Sequence, residues 1–222
     1  MKWLNSLGEL LYEIMSWLVF YPITLWRVTI NPFRMMSYAR RELDEPEDEQ
    51  FNDALNPPLF LVLTVILLQG IDAAIGGGVN PIIASQRGLA AYINDTTTLL
   101  MLRLVLFSLF PLMMATRLMR ARGIKLTRQG LRGSFYAQCY ACAPFAMAIG
   151  LSMSTAHLGL PGSRTAGIIL AWIAVGAFLV TETRWFAHHL QQSLMRGAGH
   201  ALCAFAEALL AARLIASLYL LP

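Results

Sequence analysis

Residues 96–133 read TTTLLMLRLVLFSLFPLMMATRLMRARGIKLTRQGLRG. Between Thr98 and Thr116 the stretch carries one charge, Arg103. It then crowds Arg117, Arg120, Arg122, Lys125, Arg128 and Arg132 into sixteen residues. A helix of about 20 apolar residues, rising 1.5 Å each, crosses about 30 Å of hydrocarbon. A dense basic loop directly after such a run marks the cytoplasmic side, because moving Lys and Arg across the bilayer is disfavoured.

The same alternation continues on both sides. The neighbouring connectors hold one arginine each, Arg87 and Arg164, whereas five basic residues precede residue 58 and the tail after the last apolar block holds none. Spans are expected near 58–79, 96–117, 134–155, 166–186 and 200–221. No block alternates polar with apolar residues as an outer-membrane barrel strand does. The expected fold is therefore all-α, a polytopic bundle of five transmembrane helices. An odd number of spans puts the amino terminus in the cytoplasm and the carboxyl terminus outside.

Composition agrees with a single membrane bundle. The 222 residues are 57% hydrophobic and 14% charged, against roughly 25% charged in soluble domains. The net charge of +4 sits at span ends, where it sets orientation and meets anionic lipid headgroups, so it is no sign of nucleic-acid binding. Cys139, Cys142 and Cys203 are odd in number and fall inside spans, which argues for buried thiols rather than a disulfide framework. Glu9 and Glu13 interrupt the first apolar stretch and no small-residue cleavage site follows, so no cleavable signal peptide is expected.

Residues 1–56 read as a cytoplasmic amino-terminal segment, and 57–222 as the five-span domain. Within the former, 3–30 is apolar and rich in tryptophan but broken by Pro22. It is expected to lie at the interface as an amphipathic helix, with a sixth span as the alternative. The acidic stretch from Glu42 to Asp53 reads as a solvated, flexible connector, or else as a docking site for a basic partner. Pro57 and Pro58 suit the first turn of the first span.

Ionisable residues inside spans are costly, and each is a candidate functional group. Asp72, Arg103, Glu207 and Arg213 qualify. Asp72, Arg103 and Arg213 each lie 14 residues from the cytoplasmic edge of their spans, about 21 Å deep. A buried Asp72–Arg103 pair is expected, with Arg213 sharing the carboxylate or snorkelling outward. Glu207 reads as isolated in the inner half, near His200 and Gln138. The four charges act either as packing glue between helices or as part of an ion or proton path. Gly167, Ala171, Ala174, Gly176 and Ala177, within 167–171 and 174–177, offer a close-packing face, Pro111 and Pro144 are expected to kink their spans, and Gly76–Pro81 reads as a turn.

Other chemistry has little to stand on. Cys139 and Cys142 make a Cys-x-x-Cys without a second pair or a flanking cation. His188 and His189 lack further ligands at metal spacing and suit an interfacial anchor. Asn94-Asp95-Thr96 matches a glycosylation acceptor, relevant only in a secretory compartment. Phosphate-binding glycine loops, nucleophile elbows and zinc-protease helices are absent from the sequence. The expectation is a non-enzymatic protein with no cofactor and no metal.

Gly130-Leu131-Arg132-Gly133-Ser134-Phe135, followed by Tyr140-Ala141 and Ala143-Pro144, opens the third span. Trp172 lies in the fourth, and Arg196-Gly197 with Gly199-His200-Ala201 leads into the fifth. Together with five spans and a basic second loop, this resembles the Yip (Ypt-interacting protein) family in its bacterial branch, over roughly residues 32–221. The tryptophan-rich amino-terminal segment and acidic linker depart from that pattern. The resemblance implies a non-enzymatic protein of the bacterial inner membrane. Eukaryotic relatives are associated with small GTPases and vesicle traffic, but no residue here matches a GTPase-contacting motif. Three functions stay open: a scaffold or accessory subunit with a protein partner or a second copy in the membrane; a small permease or channel using Asp72, Arg103 and Glu207; and a membrane-shaping role for 3–30.

Overall fold

The computed structural model describes residues 2–47, 49–75 and 96–220. Among them are seven helices and no strand: α1 (Lys2–Ile30), α2 (Pro32–Glu42), α3 (Pro57–Ala74), α4 (Thr96–Ala121), α5 (Arg128–Ala156), α6 (Ser163–Leu190) and α7 (Leu194–Leu220). The five from α3 to α7 are long and apolar enough to cross a membrane, which marks an integral membrane protein. The Gly76–Pro81 turn, Arg87 and the Asn94-Asp95 part of the glycosylation motif lie outside the described residues.

Helix boundaries follow local chemistry. Prolines at their first turn start α2 and α3, where a missing N–H is harmless. Thr127 caps α5, its hydroxyl accepting from the Gly130 N–H at 3.1 Å. Gly162, with φ +82°, precedes α6. The helices run further than the hydropathy blocks. Arg117 and Arg120 belong to α4, and Arg128 and Arg132 to α5, so the basic connector shrinks to 122–127. Pro22, Pro111 and Pro144 each sit inside a continuous helix; Pro22 does not break α1.

Helices α4, α5, α6 and α7 close a ring in which each packs on the next and α7 returns to α4. Helix α3 packs on the other side of α5, and α2 lies across the basic end against α5. Helix α5 takes this central place because its inner half is built from small residues. Ala137, Cys139, Ala141, Cys142, Ala143 and Ala146 are all buried, which lets neighbours approach on several sides. The core then fills with aromatic rings. Phe110, Phe145, Phe178 and Phe205, one from each helix of the ring, meet with centroids 4.6–6.0 Å apart.

The amino-terminal segment belongs to the same packing. Met35, Met36, Ala39, Ala54 and Leu55 are buried in one cluster with Phe60, Tyr140 and Phe186. Helix α1 is not among the five candidate spans. Thr24 accepts from the Leu55 N–H at 3.1 Å, Arg27 donates to the Asp53 carbonyl at 2.9 Å, and Tyr12 and Glu13 line a cleft with Glu47 and Gln50. Positions 12 and 27 thus both reach the 47–56 linker, while Tyr21 between them meets Thr64 of α3 at 3.0 Å.

The acidic linker is not the flexible connector its composition suggests. Glu42 accepts from the Phe51 N–H at 2.6 Å, Tyr38 donates to Asp53, and Tyr140 donates to the Leu55 carbonyl at 2.6 Å. Phe51, at φ +57°, places its ring between Tyr38 and Tyr136. Burial and the neighbouring Asp53 push the Tyr38 phenol well above its ordinary pKa, which keeps it a donor.

Candidate functional site: polar side chains inside the bundle

Helix lengths set the depth of each polar side chain, and three contacts between helices result. Towards the end of the bundle opposite the basic loops, Arg103 on α4 meets Asp72 on α3 at 2.7 Å, and Ser154 on α5 donates to the other carboxylate oxygen. Three helices are joined there. Both charged side chains are about a quarter exposed.

Glu207 is not isolated, as the sequence had suggested. Arg117 on α4 reaches it at 2.7 Å and also points its Nε at His200 Nδ1, 3.5 Å away. Sequence reasoning counted Arg117 among the loop cations, but the helix continues past it and turns its stem inward. The α4–α7 contact that closes the ring thereby combines an ion pair with the Phe110–Phe205 packing.

The third contact involves a residue that sequence reasoning missed. Glu182 on α6 is fully buried and accepts from Gln138 Nε2 on α5 at 2.9 Å. The second oxygen of Glu182, the oxygen of Gln138 and the indole N–H of Trp185 are buried without hydrogen-bond partners among the described residues. Glu182 was legible as the one acidic residue between Ser163 and Leu190. Gln138, placed beside Glu207 from depth alone, belongs to Glu182 instead.

The other candidates separate. Arg213 is exposed and makes no ion pair among the described residues. Of the basic face, Arg122 donates twice to the His189 carbonyl, at 2.9 and 3.2 Å, and so satisfies the carboxyl end of α6. Arg132 lies over the Tyr136 ring at 5.4 Å. Arg120, Lys125 and Arg128 are exposed. The His189 ring lies 3.8 Å from that of Trp185, tilted by 36°, with Phe33 beside them. Cys139 and Cys142 are buried free thiols. Among the described residues no three His, Cys, Asp or Glu side chains gather into a metal-holding set.

The chemical capacity of this arrangement is that of a clamp. The two ion pairs and the Glu182–Gln138 contact each bridge different helices, and the four phenylalanines occupy the ring between them. Compared with known proteins, the chain matches no family model, no curated protein and no solved structure.

Proposed function

We propose that this chain is a non-enzymatic scaffold or accessory subunit of a membrane assembly, a Yip-like protein of the bacterial inner membrane with a cytoplasmic amino terminus. The observation that carries this reading is the ring interior. Phe110, Phe145, Phe178 and Phe205 fill it, and Asp72 and Glu207 are each held by an arginine of another helix. Polar pairs closed on one another serve as interhelical glue, and rings packed on one another are a bundle core rather than the polar lining of a path.

The outer faces supply surface for an assembly. On α6, Ile169, Trp172, Ile173 and Val180 are exposed, and on α7 so are Leu202, Leu209, Leu210 and Leu214. Lipid or a neighbouring subunit covers such faces. The Gly130–Phe135 stretch that carries the Yip resemblance forms the first turns of the central helix, beside the basic connector.

Mass measurement after extraction into lipid nanodiscs tests the reading. A fixed complex heavier than the 24.6 kDa chain is the expected result, and a lone monomer overturns it. One observation favours the permease alternative: the Asp72–Arg103 pair remains a quarter exposed. That alternative requires a flux in reconstituted vesicles that Asp72→Asn or Glu207→Gln abolishes.

A further inference from the structure

At the basic end, α2, the start of α5 and the end of α6 enclose an open cleft of about 550 Å³. Its charged lining is Arg40, Arg41 and Arg132 against the single acid Asp44, with His189 on the α6 side. Arg122 stands close enough to oppose the charge on Arg40. None of these four arginines forms an ion pair among the described residues.

Exposed arginines ordinarily point apart into solvent, where their repulsion is screened. Here Arg40 is half-buried. Burial, and then Arg122, hold its guanidinium below the ordinary arginine pKa, with Asp44 opposing them. Guanidinium forks match the oxygens of a phosphate in bidentate fashion. The cleft is also lined by Gln129 and Gly130 in the first turn of α5, so the positive end of a 29-residue helix borders it, although the Gly130 N–H is already taken by Thr127. The height in the bundle fits as well, since α5 begins there and the apolar run of its span starts just beyond Gly133, at the level of lipid headgroups.

We infer that this cleft binds an anionic phosphate group, held by Arg40, Arg41 and Arg132 at the amino end of α5. The phosphate comes either from an anionic phospholipid headgroup or from a soluble phosphate. The site stands whether the protein is a scaffold or a permease, because it lies at one end of the bundle, away from the intramembrane pairs.

The test uses the full chain in nanodiscs of neutral phosphatidylcholine, with phosphatidylglycerol or inorganic phosphate added. Wild type is compared with Arg40→Gln/Arg132→Gln, with Arg41→Gln alone, and with a charge-matched control, Arg120→Gln/Lys125→Gln, outside the cleft. Retained phosphatidylglycerol is counted by mass spectrometry, and thermal stability is followed with each anion. The double cleft variant should bind about 30-fold more weakly, roughly fivefold per guanidinium, while the control matches wild type. If the double variant fails to fold, Arg41→Gln, an exposed position, should still weaken binding about fivefold. Stabilisation by phosphatidylglycerol alone assigns the lipid as the source. Stabilisation by inorganic phosphate that also displaces the lipid assigns a soluble ligand. Equal loss in the control and cleft variants, or no response of wild type to either anion, overturns the site.

Discussion

The rings of Phe145 and Phe178 lie nearly parallel, 23° apart with centroids at 4.6 Å, across the α5–α6 contact. They are the closest pair in the four-ring cluster, and both side chains are buried. Aromatic pairs of this kind contribute about 0.5–1.5 kcal/mol beyond their buried area. Phe145→Ala is expected to cost about 3–5 kcal/mol and to lower Tm sharply in a thermal melt. Vesicles carrying the wild-type protein should pass ions no faster than empty ones. A wild-type flux above that background would show that the four-ring cluster is not a closed core.

The Arg117–Glu207 pair closes the helix ring, and its energetics are separable from simple burial. Its side chains keep 27% and 37% of their surface, so removing one partner should cost less than the about 3–5 kcal/mol of a fully buried pair, whereas replacing both by apolar residues is often neutral. Arg117→Leu and Glu207→Leu are each expected to destabilise more than the double variant does. Additive losses in a double-mutant cycle would show that the two side chains do not act together.

Two glycines on α6 should respond to alanine in opposite directions. A Cβ at Gly167 would meet the Ser152 carbonyl oxygen of α5 at 2.5 Å, backbone that cannot yield cheaply. A Cβ at Gly176 meets nothing within 4 Å. Gly167→Ala should therefore lower Tm by separating α5 from α6. Gly176→Ala should raise stability by about 0.5–1 kcal/mol through helix propensity. Equal responses would contradict the close approach at Gly167.

Glu182 sits fully buried with an amide for its one partner among the described residues. A buried carboxyl without a cation nearby is expensive to keep. Glu182→Gln preserves the size of the side chain and the contact with Gln138, and is expected to leave stability unchanged or raised. Glu182→Ala should lower it through the cavity it opens. A large loss in Glu182→Gln, read by thermal melting, would assign the acid a task that an amide cannot perform.

Tryptophan depth tests the placement of α1. Trp26 and Trp172 are 69% and 73% exposed, one on α1 and one in the middle of α6. In single-tryptophan variants, brominated lipids should quench Trp26 best with bromine near the headgroup and Trp172 best with bromine deep in the chain. Deep quenching at Trp26 would make α1 a sixth span.

The apolar blocks were legible because crossing a bilayer leaves a length and a polarity that a single chain must display. The positions of Asp72 and Arg103, 14 residues from their respective edges, already suggested the contact now seen at 2.7 Å. Arg117 was misread because charge alone does not end a helix; α4 continues until Gly123 turns at φ +67°. The linker was misread for a different reason. Its carboxylates resemble a solvated tether, but Tyr38, Phe51 and Tyr140 fold it down, and Tyr140 lies 85 residues from its partner Leu55. The phenylalanine cluster was invisible in any one helix, since each helix contributes a single ring.

The pairing of α4 with α7 also bears on how the protein is made. Helices emerge from the ribosome in chain order, so Arg117 enters the membrane long before Glu207 exists. During that interval, while α5 and α6 are being synthesised, the guanidinium has to wait near the headgroups, within reach of its long stem. Arrival of the final helix supplies the missing carboxylate and closes the ring around the four rings of phenylalanine. The Arg117–Glu207 contact therefore forms only once the last helix is in place, and a chain truncated before residue 207 would lack it.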